Sequence, residues 1–527
     1  MTQAQAETAQ RPGASTVGPD TPDGTLLTYP QLRGVSLMFV LMGIMMHTID
    51  STITNVALPH MQGALSASLD QVSWVITGYI VASAVATPPV AWLSTRFGIR
   101  KIILISVGSF TFASVLCGLA VSLQEMVIFR VLQGLSGAAL IPVGQVIVLS
   151  SFRRKDYGKA MGLFGLGVMV GPILGPTLGG YITEVSSWRW VFFVNVPFGI
   201  AAMIGIWVFV KDVPPGKAPR FDTIGFASLV TALVSFQVLM DRGHGEDWFT
   251  SWEIIGWAAL SLTALYIFAV RIITAREPFF DRRLFKDKHF AIGNIVFFFV
   301  GGNMVATMIM VPSLMQSLLG YPVQAAGLLL APRGLGMMLA MVLTPRLAAH
   351  MDPRIAITIG MILTSYASWD QAQIGIYFSA WDFARTGFVH GMGLGMVFVL
   401  IGTISFNHLP DDIRLQASTF FNMVRNIGQS FCAAVAVSAL ARNIQVNASE
   451  LGEAVTLHSQ SLEFAASRFA GALPGDVALS LLQAGINRQA AFIAYINNFY
   501  ALAILTLLFA GLVWLVPRPP ELNDETA

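Results

Sequence analysis

Charge is what this sequence has least of. Lysine, arginine, aspartate and glutamate make up 11% of its 527 residues, against about 25% in a typical soluble domain. A net charge of +2 leaves no basic surface for nucleic acid, because the basic residues fall in short stretches between apolar runs. Cysteine is equally scarce. Cys117 and Cys432 are the two present and both lie inside apolar runs, which points to packing rather than a disulfide framework or a metal site. No Walker A pattern occurs: Gly158-Lys159 is followed by Ala160 and the upstream glycine is missing. HExxH and GxSxG are also absent, so ATP-driven pumping and the common hydrolases have no support here. Neither a soluble signalling domain nor a cluster of catalytic side chains is visible, which disfavours a membrane sensor or a membrane enzyme. No cofactor is expected.

Hydrophobicity is what the chain has in excess, with 55% apolar residues and a mean hydropathy of +0.67. Apolar runs of about 20 residues recur, each long enough to cross a hydrocarbon core of about 30 Å. The pattern predicts an all-α polytopic membrane protein with fourteen spans, near 35–58, 70–93, 101–122, 125–149, 160–183, 190–210, 224–241, 254–273, 290–312, 323–345, 354–370, 381–406, 415–441 and 491–516. Most of the 31 lysines and arginines, including Arg96, Arg100, Arg153, Arg154 and the cluster Arg271–Lys288, then fall on one side of the membrane. The positive-inside rule makes that side cytoplasmic, together with both termini.

A weak internal repeat divides the chain. Leu93 and Arg100 in LSTRFGIR match Leu347 and Arg354 in LAAHMDPR at a shift of 254, Pro59 matches Pro312 at 253, and Gly171 matches Gly428 at 257. The expected organisation is a disordered tail at 1–33, a six-helix bundle at 34–210, and two inserted helices with a basic loop at 211–288. A second six-helix bundle follows at 289–516, then a short tail at 517–527. Within the second bundle, 443–489 reads as a long outer loop. Parallel repeats of this kind place a substrate site between the halves near the midplane.

Four glycines, Gly167, Gly171, Gly175 and Gly179, recur every fourth residue in GLFGLGVMVGPILGPTLGG, and Pro172 and Pro176 follow two of them. On a helix they make one ridge without side chains, expected to face a helix of the opposite half; simple close packing of neighbouring helices is the alternative. Asp50, in IDSTITNVALP, is the carboxylate placed deepest in the first half. Intramembrane charge is costly and functional by default, and a carboxylate removed from water favours its protonated form, so Asp50 is the expected proton carrier. The alternative puts it in the outer headgroup layer. Arg130, with Gln133 one turn on, is its expected partner, unless it snorkels. The basic turn with Arg96, Gly98 and Arg100 reads as a gate loop or as a topology signal. Trp188-Arg189-Trp190 reads as an interface anchor. Asn55, Gln133, Arg385, Asn422 and Arg425 are the expected substrate-cavity residues. Asp382, Arg385 and His390 equally suit a local salt link.

These segments resemble a known family. IDSTITNVALP, FRVLQGLSGAA and GPILGPTLGG are similar to the first-, fourth- and fifth-span motifs of drug:proton antiporters of the major facilitator superfamily, and SWRWVFFVNVPFG with fourteen spans resembles its EmrB/QacA-type branch. The resemblance implies two six-helix bundles plus two inserted helices in a cell inner membrane. It implies export of amphipathic compounds in exchange for protons, with membrane lipid around the bundles. It also implies docking to a periplasmic adaptor and an outer-membrane channel through the outer loop. A proton-coupled uptake or export system for a specific metabolite or siderophore on the same fold is the alternative. Three departures stand out. Ala91 and Thr95 occupy positions usually held by glycine and aspartate, Gln429 and Cys432 replace the proline and glycine of the ridge in the second half, and Asn497 and Asn498 stand where acidic residues are frequent.

Overall fold

A chain crossing hydrocarbon must satisfy its own N–H and C=O groups, which leaves helices as the economical solution. The computed structural model describes residues 26–67, 69–213, 220–243, 245–246, 248–348, 351–373, 378–453 and 475–517; among these, all regular structure is helical apart from one isolated bridge between Leu27 and Val210. The first half comprises α1 (Arg33–Ala64), α2 (Leu69–Ala86), α3 (Val90–Phe97), α4 (Ile99–Leu119), α5 (Leu123–Gly137), α6 (Leu140–Ser150), α7 (Tyr157–Val185), α8 (Trp190–Phe193) and α9 (Asn195–Phe209). Next come α10 (Thr223–Gly243), α11 (Trp252–Thr274) and the short α12 (Arg283–Lys286). The second half holds α13 (Lys288–Ser317), α14 (Val323–Ala348), α15 (Pro353–Ala372), α16 (Ala380–Asn407), α17 (Arg414–Glu453) and α18 (Gly475–Leu512).

Twelve helices among the described residues are long and apolar enough to cross a membrane. The pair α2 and α3 makes a thirteenth, bent by 55° where Pro88 and Pro89 interrupt the backbone donors. The stretch expected at 354–370 is helical as α15 but too polar to count by composition. Its polar groups turn inward instead, Ser365 donating to the Ala503 carbonyl of α18 at 2.8 Å. α10 and α11 pack on each other, and α10 also touches α2 of the first half and α17 of the second.

Two expected segments differ from what the sequence suggested. The tail does not extend to residue 33. Leu26 and Leu27 break its polar character, and Leu27 is fully buried. The backbone here is clipped to the end of α9, Thr28 N–H to Phe209 O at 2.8 Å and Lys211 N–H to Leu26 O at 2.8 Å; residues 1–25 and 518–527 lie outside the described residues. In the expected outer loop at 443–489, the described residues 443–453 and 475–489 are helical, because α17 runs on for 40 residues and α18 for 38. At 1.5 Å per residue each is close to 60 Å long, about twice the hydrocarbon thickness. Helix-forming Ala, Glu, Leu and Gln carry both helices past the membrane, and Asn447 Nδ2 bonds the Ala490 carbonyl between them at 3.3 Å. Residues 454–474 lie outside the described residues.

The halves meet at the end where the basic loops cluster. Arg154, just before α7, donates to the carbonyls of Asn407 at 2.6 Å and Leu409 at 3.2 Å and pairs with Asp411 at 3.2 Å. Arg414 pairs with the same Asp411 and sits over the Tyr157 ring at 5.4 Å. Further in, Gln145 of α6 accepts from Ser418 at 2.6 Å and Asn422 at 2.8 Å, both on α17. Phe164 and Phe398 stack across the seam. The basic end is therefore sealed.

Candidate functional site: a buried carboxylate and its three donors

Helices α1, α2, α4, α5 and α9 bring one polar cluster together inside the first half. Asp50 is fully buried and Arg130 only 1% exposed. Arg130 Nη1 lies 2.7 Å from Asp50 Oδ2. The other carboxylate oxygen accepts from Gln133 Nε2 at 2.9 Å and Asn195 Nδ2 at 2.8 Å. Arg130 also donates to Gln133 Oε1 at 2.8 Å and to the Val75 carbonyl at 3.3 Å, with its guanidinium 4.1 Å from the Tyr79 ring centroid. Asn195 continues to Ser114 at 3.0 Å, and Tyr79 Oη meets His47 Nδ1 at 2.9 Å. A buried ion pair survives only when both charges are matched and well hydrogen-bonded; here the charges match and both carboxylate oxygens accept.

Asp50, Arg130 and Gln133 were legible in the sequence; Asn195, Ser114, Tyr79 and His47 were not. Asn195 sits in the SWRWVFFVNVPFG stretch, whose tryptophans drew attention to the membrane interface. Of those, Trp190 is exposed, whereas Trp188 is buried and stacks with Arg189, which donates to the carbonyls of Gly118 and Ala120 at 3.2 and 2.6 Å. That turn locks α9 onto α4, so its first residue, Asn195, reaches Asp50. Gln133 faces Asp50 rather than an open cavity.

The glycine ridge faces α1 of its own half, not the opposite half. A side chain on Gly167 would strike Leu41, on Gly171 the Thr48 backbone, on Gly175 Thr52, and on Gly179 Ile53. Thr52 Oγ1 donates to the Gly171 carbonyl across this contact at 2.9 Å. The seam to the second half is another face of α7. There Gly158 lies against Pro345, Gly162 against the Met341 carbonyl, and Gly165 against Met341 and Phe398. Gly162 and Gly167 are five residues apart, which on a helix is a turn of about 140°; reading only the longer glycine run picked the wrong stripe. α7 runs unbroken through Pro172 and Pro176, although the side chain of Pro176 lies outside the described residues.

The repeat holds at the level of packing. Gly428 of α17 meets the Phe298 carbonyl of α13 as Gly171 of α7 meets Thr48 of α1. One turn on, Cys432 occupies α17 and the glycine has moved to α13 as Gly302. The shift of 253 that relates Pro59 to Pro312 relates Asp50 to Asn303. Asn303 accepts from His390 Nε2 at 3.1 Å and donates to Thr506 at 3.1 Å, so an amide replaces the carboxylate in the second half.

The remaining expected residues are scattered. Asn422 belongs to the basic-end seam, Arg385 pairs with Asp370 at 2.8 Å near the opposite end, and Asn55 is exposed on the outer half of α1. Arg425 lies beside Phe297 and borders a small cleft that Met169 of the first half also lines. In the gate loop, Gly98 has φ +94°, a left-handed turn that favours glycine. Arg100 donates to the Trp207 carbonyl within its own half, and Arg96 is exposed. The tie to the second half runs through Arg154.

The sequence profile described as Major Facilitator Superfamily matches residues 40–433. The multidrug export protein EmrB of Escherichia coli K12 is 31% identical over 93% of this chain and 97% of its own. The fatty acid resistance protein FarB of Neisseria gonorrhoeae is 30% identical over 94% and 98%. Among solved structures, the human organic anion transporter MFSD10 superposes with a TM-score of 0.56 at 14% identity, covering 90% of this chain and 99% of that one. The proton:xylose symporter XylE gives 0.55 at 14%, covering 93% and 96%; at that identity both speak for the fold alone. With twelve or more apolar helices, a packing-level repeat and these relatives along nearly its whole length, the chain is a multi-pass membrane transporter that belongs to the Major Facilitator Superfamily, in its EmrB-type branch.

Proposed function

We propose that this transporter exports amphipathic drugs or toxic compounds from the cytoplasm across the cell inner membrane, in exchange for protons, by alternating access of its two halves. The 2.7 Å ion pair between Asp50 and Arg130, sealed from water among five helices, carries the reading. Protonating Asp50 removes the only acid partner of Arg130 among the described residues. The guanidinium is then left with carbonyl oxygens and an aromatic face, a costly arrangement in apolar surroundings. That cost is the coupling: proton occupancy at Asp50 shifts the balance between packings of α1 against α5 and α9. Export is supported by the names of the full-length relatives, multidrug export and fatty acid resistance. The basic end is the cytoplasmic end by the positive-inside rule, and its sealed seam then corresponds to a state closed toward the cytoplasm. The helix pair α17–α18 would stand on the periplasmic side, where a periplasmic adaptor leading to an outer-membrane channel can dock.

The test is Asp50→Asn in proteoliposomes with an imposed proton gradient. The variant is expected to insert and bind substrate but to lose uphill efflux; full gradient-driven efflux in that variant would refute the proton role of Asp50.

A further inference from the structure

The buried arginines near the middle of the two halves differ. Arg130 in the first half is neutralised by Asp50, whereas the buried Arg425 and the half-buried Arg333 in the second half form no ion pair among the described residues. Arg425 is 6% exposed, its Nε has no hydrogen-bond partner, and one terminal nitrogen reaches only the Asn426 side chain at 3.5 Å. Arg333 donates to the Met304 carbonyl at 2.9 Å. A buried guanidinium without a counter-ion is an expensive feature to keep.

Its surroundings are built to hold it. Gly301 of α13 lies beneath the Arg425 stem, and a side chain there would come within 2.7 Å of Arg425 Cγ. Phe297 lies 5.9 Å away under the guanidinium and is itself stacked on Phe421. Arg425 borders a cavity of about 10 Å³, room for roughly one water, whose other walls include Phe297, Met304, Met337 and Phe398 from the second half and Met169 from α7 of the first. Because α7 supplies one wall, parting the halves widens this cleft. Methionine and phenylalanine give it an adaptable apolar lining.

We propose that Arg425 is the charge-selecting residue of the transported-substrate site, and that the site takes amphipathic monoanions, a single carboxylate or phenolate on an apolar body. This deepens the export reading and rests on it. The anion supplies the counter-ion that the second half lacks, and the apolar walls take the body. A lipophilic cation of the same shape meets like charge at the same place.

The full-length protein in lipid nanodiscs is titrated with a naphthalenecarboxylate and a naphthyltrimethylammonium, read by probe fluorescence without a proton gradient. Wild type is expected to bind the carboxylate at least about tenfold more tightly than the ammonium. Arg425→Gln should lose at least about tenfold for the carboxylate, the scale of one charged hydrogen bond. The same variant should leave ammonium binding and thermal stability unchanged or improved, and Arg425→Lys should recover most of the carboxylate affinity. Equal binding of both probes to wild type overturns the proposal, as does an equal loss of both in Arg425→Gln. Binding needs no gradient, so uphill efflux retained by Asp50→Asn would count against the proton-coupled export reading alone.

Discussion

The two glycine faces of α7 predict opposite consequences for the same small substitution. At Gly162 an added methyl would lie 2.5 Å from the Met341 carbonyl oxygen, against 3.4 Å or more for ordinary contact. The obstacle is backbone, so relief requires α14 to move away by about 0.9 Å, and overpacking of this kind costs about 1–3 kcal/mol. The penalty exists only while the basic end is sealed. It therefore acts on the conformational equilibrium, and about 2 kcal/mol shifts that equilibrium roughly 30-fold toward the state with the basic end open. At Gly171 the added methyl strikes Thr48 of α1, a contact inside one half that persists in both states. There the cost falls on folding and leaves the equilibrium alone. The assay is disulfide formation between Gly158→Cys and Thr403→Cys, positions in contact across the seam, in a background lacking Cys117 and Cys432. Gly162→Ala should nearly abolish the crosslink while melting close to the parent. Gly171→Ala should keep the crosslink and lower the melting temperature. Equal crosslinking in the two variants would refute the assignment of faces.

Three further outcomes follow from the same geometry. Asn195→Leu removes one donor from Asp50 and leaves Ser114 short of a partner; gradient-driven efflux should fall at least tenfold with the protein still folded, and wild-type efflux would mean Asn195 is a spectator. Arg154→Gln removes the pairing with Asp411 and weakens the bonds to the Asn407 and Leu409 carbonyls; labelling of a cysteine at Met161 by an impermeant thiol reagent from the basic side should rise several-fold, and unchanged labelling would place the seal elsewhere. His408 lies in sequence between those two carbonyls, and its ring is tilted against that of His289 with centroids 4.2 Å apart; burial, then the neighbouring His289, holds its proton affinity below the ordinary histidine value. A depressed histidine favours its neutral form when packed, so the stability it contributes is present above about pH 6.5 and declines as pH falls below that value. The Gly158–Thr403 crosslink should accordingly weaken between pH 7.5 and 5.5, and less so in His408→Asn; an identical profile in both would exclude His408 as the cause.

Hydropathy made the helices legible, and the one carboxylate deep in the first half made the centre of the site legible, because both signals are costs that the bilayer imposes on individual residues. What the sequence hid were relations between residues. Gly162 and Gly167 look alike in one dimension, and only the helical turn between them separates the seam from the α1 contact. Asn195 lay in a segment dominated by its tryptophans, and its reach to Asp50 depends on Arg189 fastening the preceding turn to α4. Arg154 was one positive charge among many until its partners on the far half were visible. The segment around 443–489 was misjudged as a loop because polar residues in the membrane-length window mask a helix that has already left the membrane.

That pair of outward-running helices also gives the molecule a lever. α17 and α18 belong to the second half and pack on each other along their length, so any tilt of that half is carried to their free end. With about 30 Å of helix beyond the hydrocarbon, each degree of rotation sweeps the tip through roughly half an ångström. A partner seated there would register rocking of the second half without touching the first, and a partner that held the tip still would in turn brake the transport cycle.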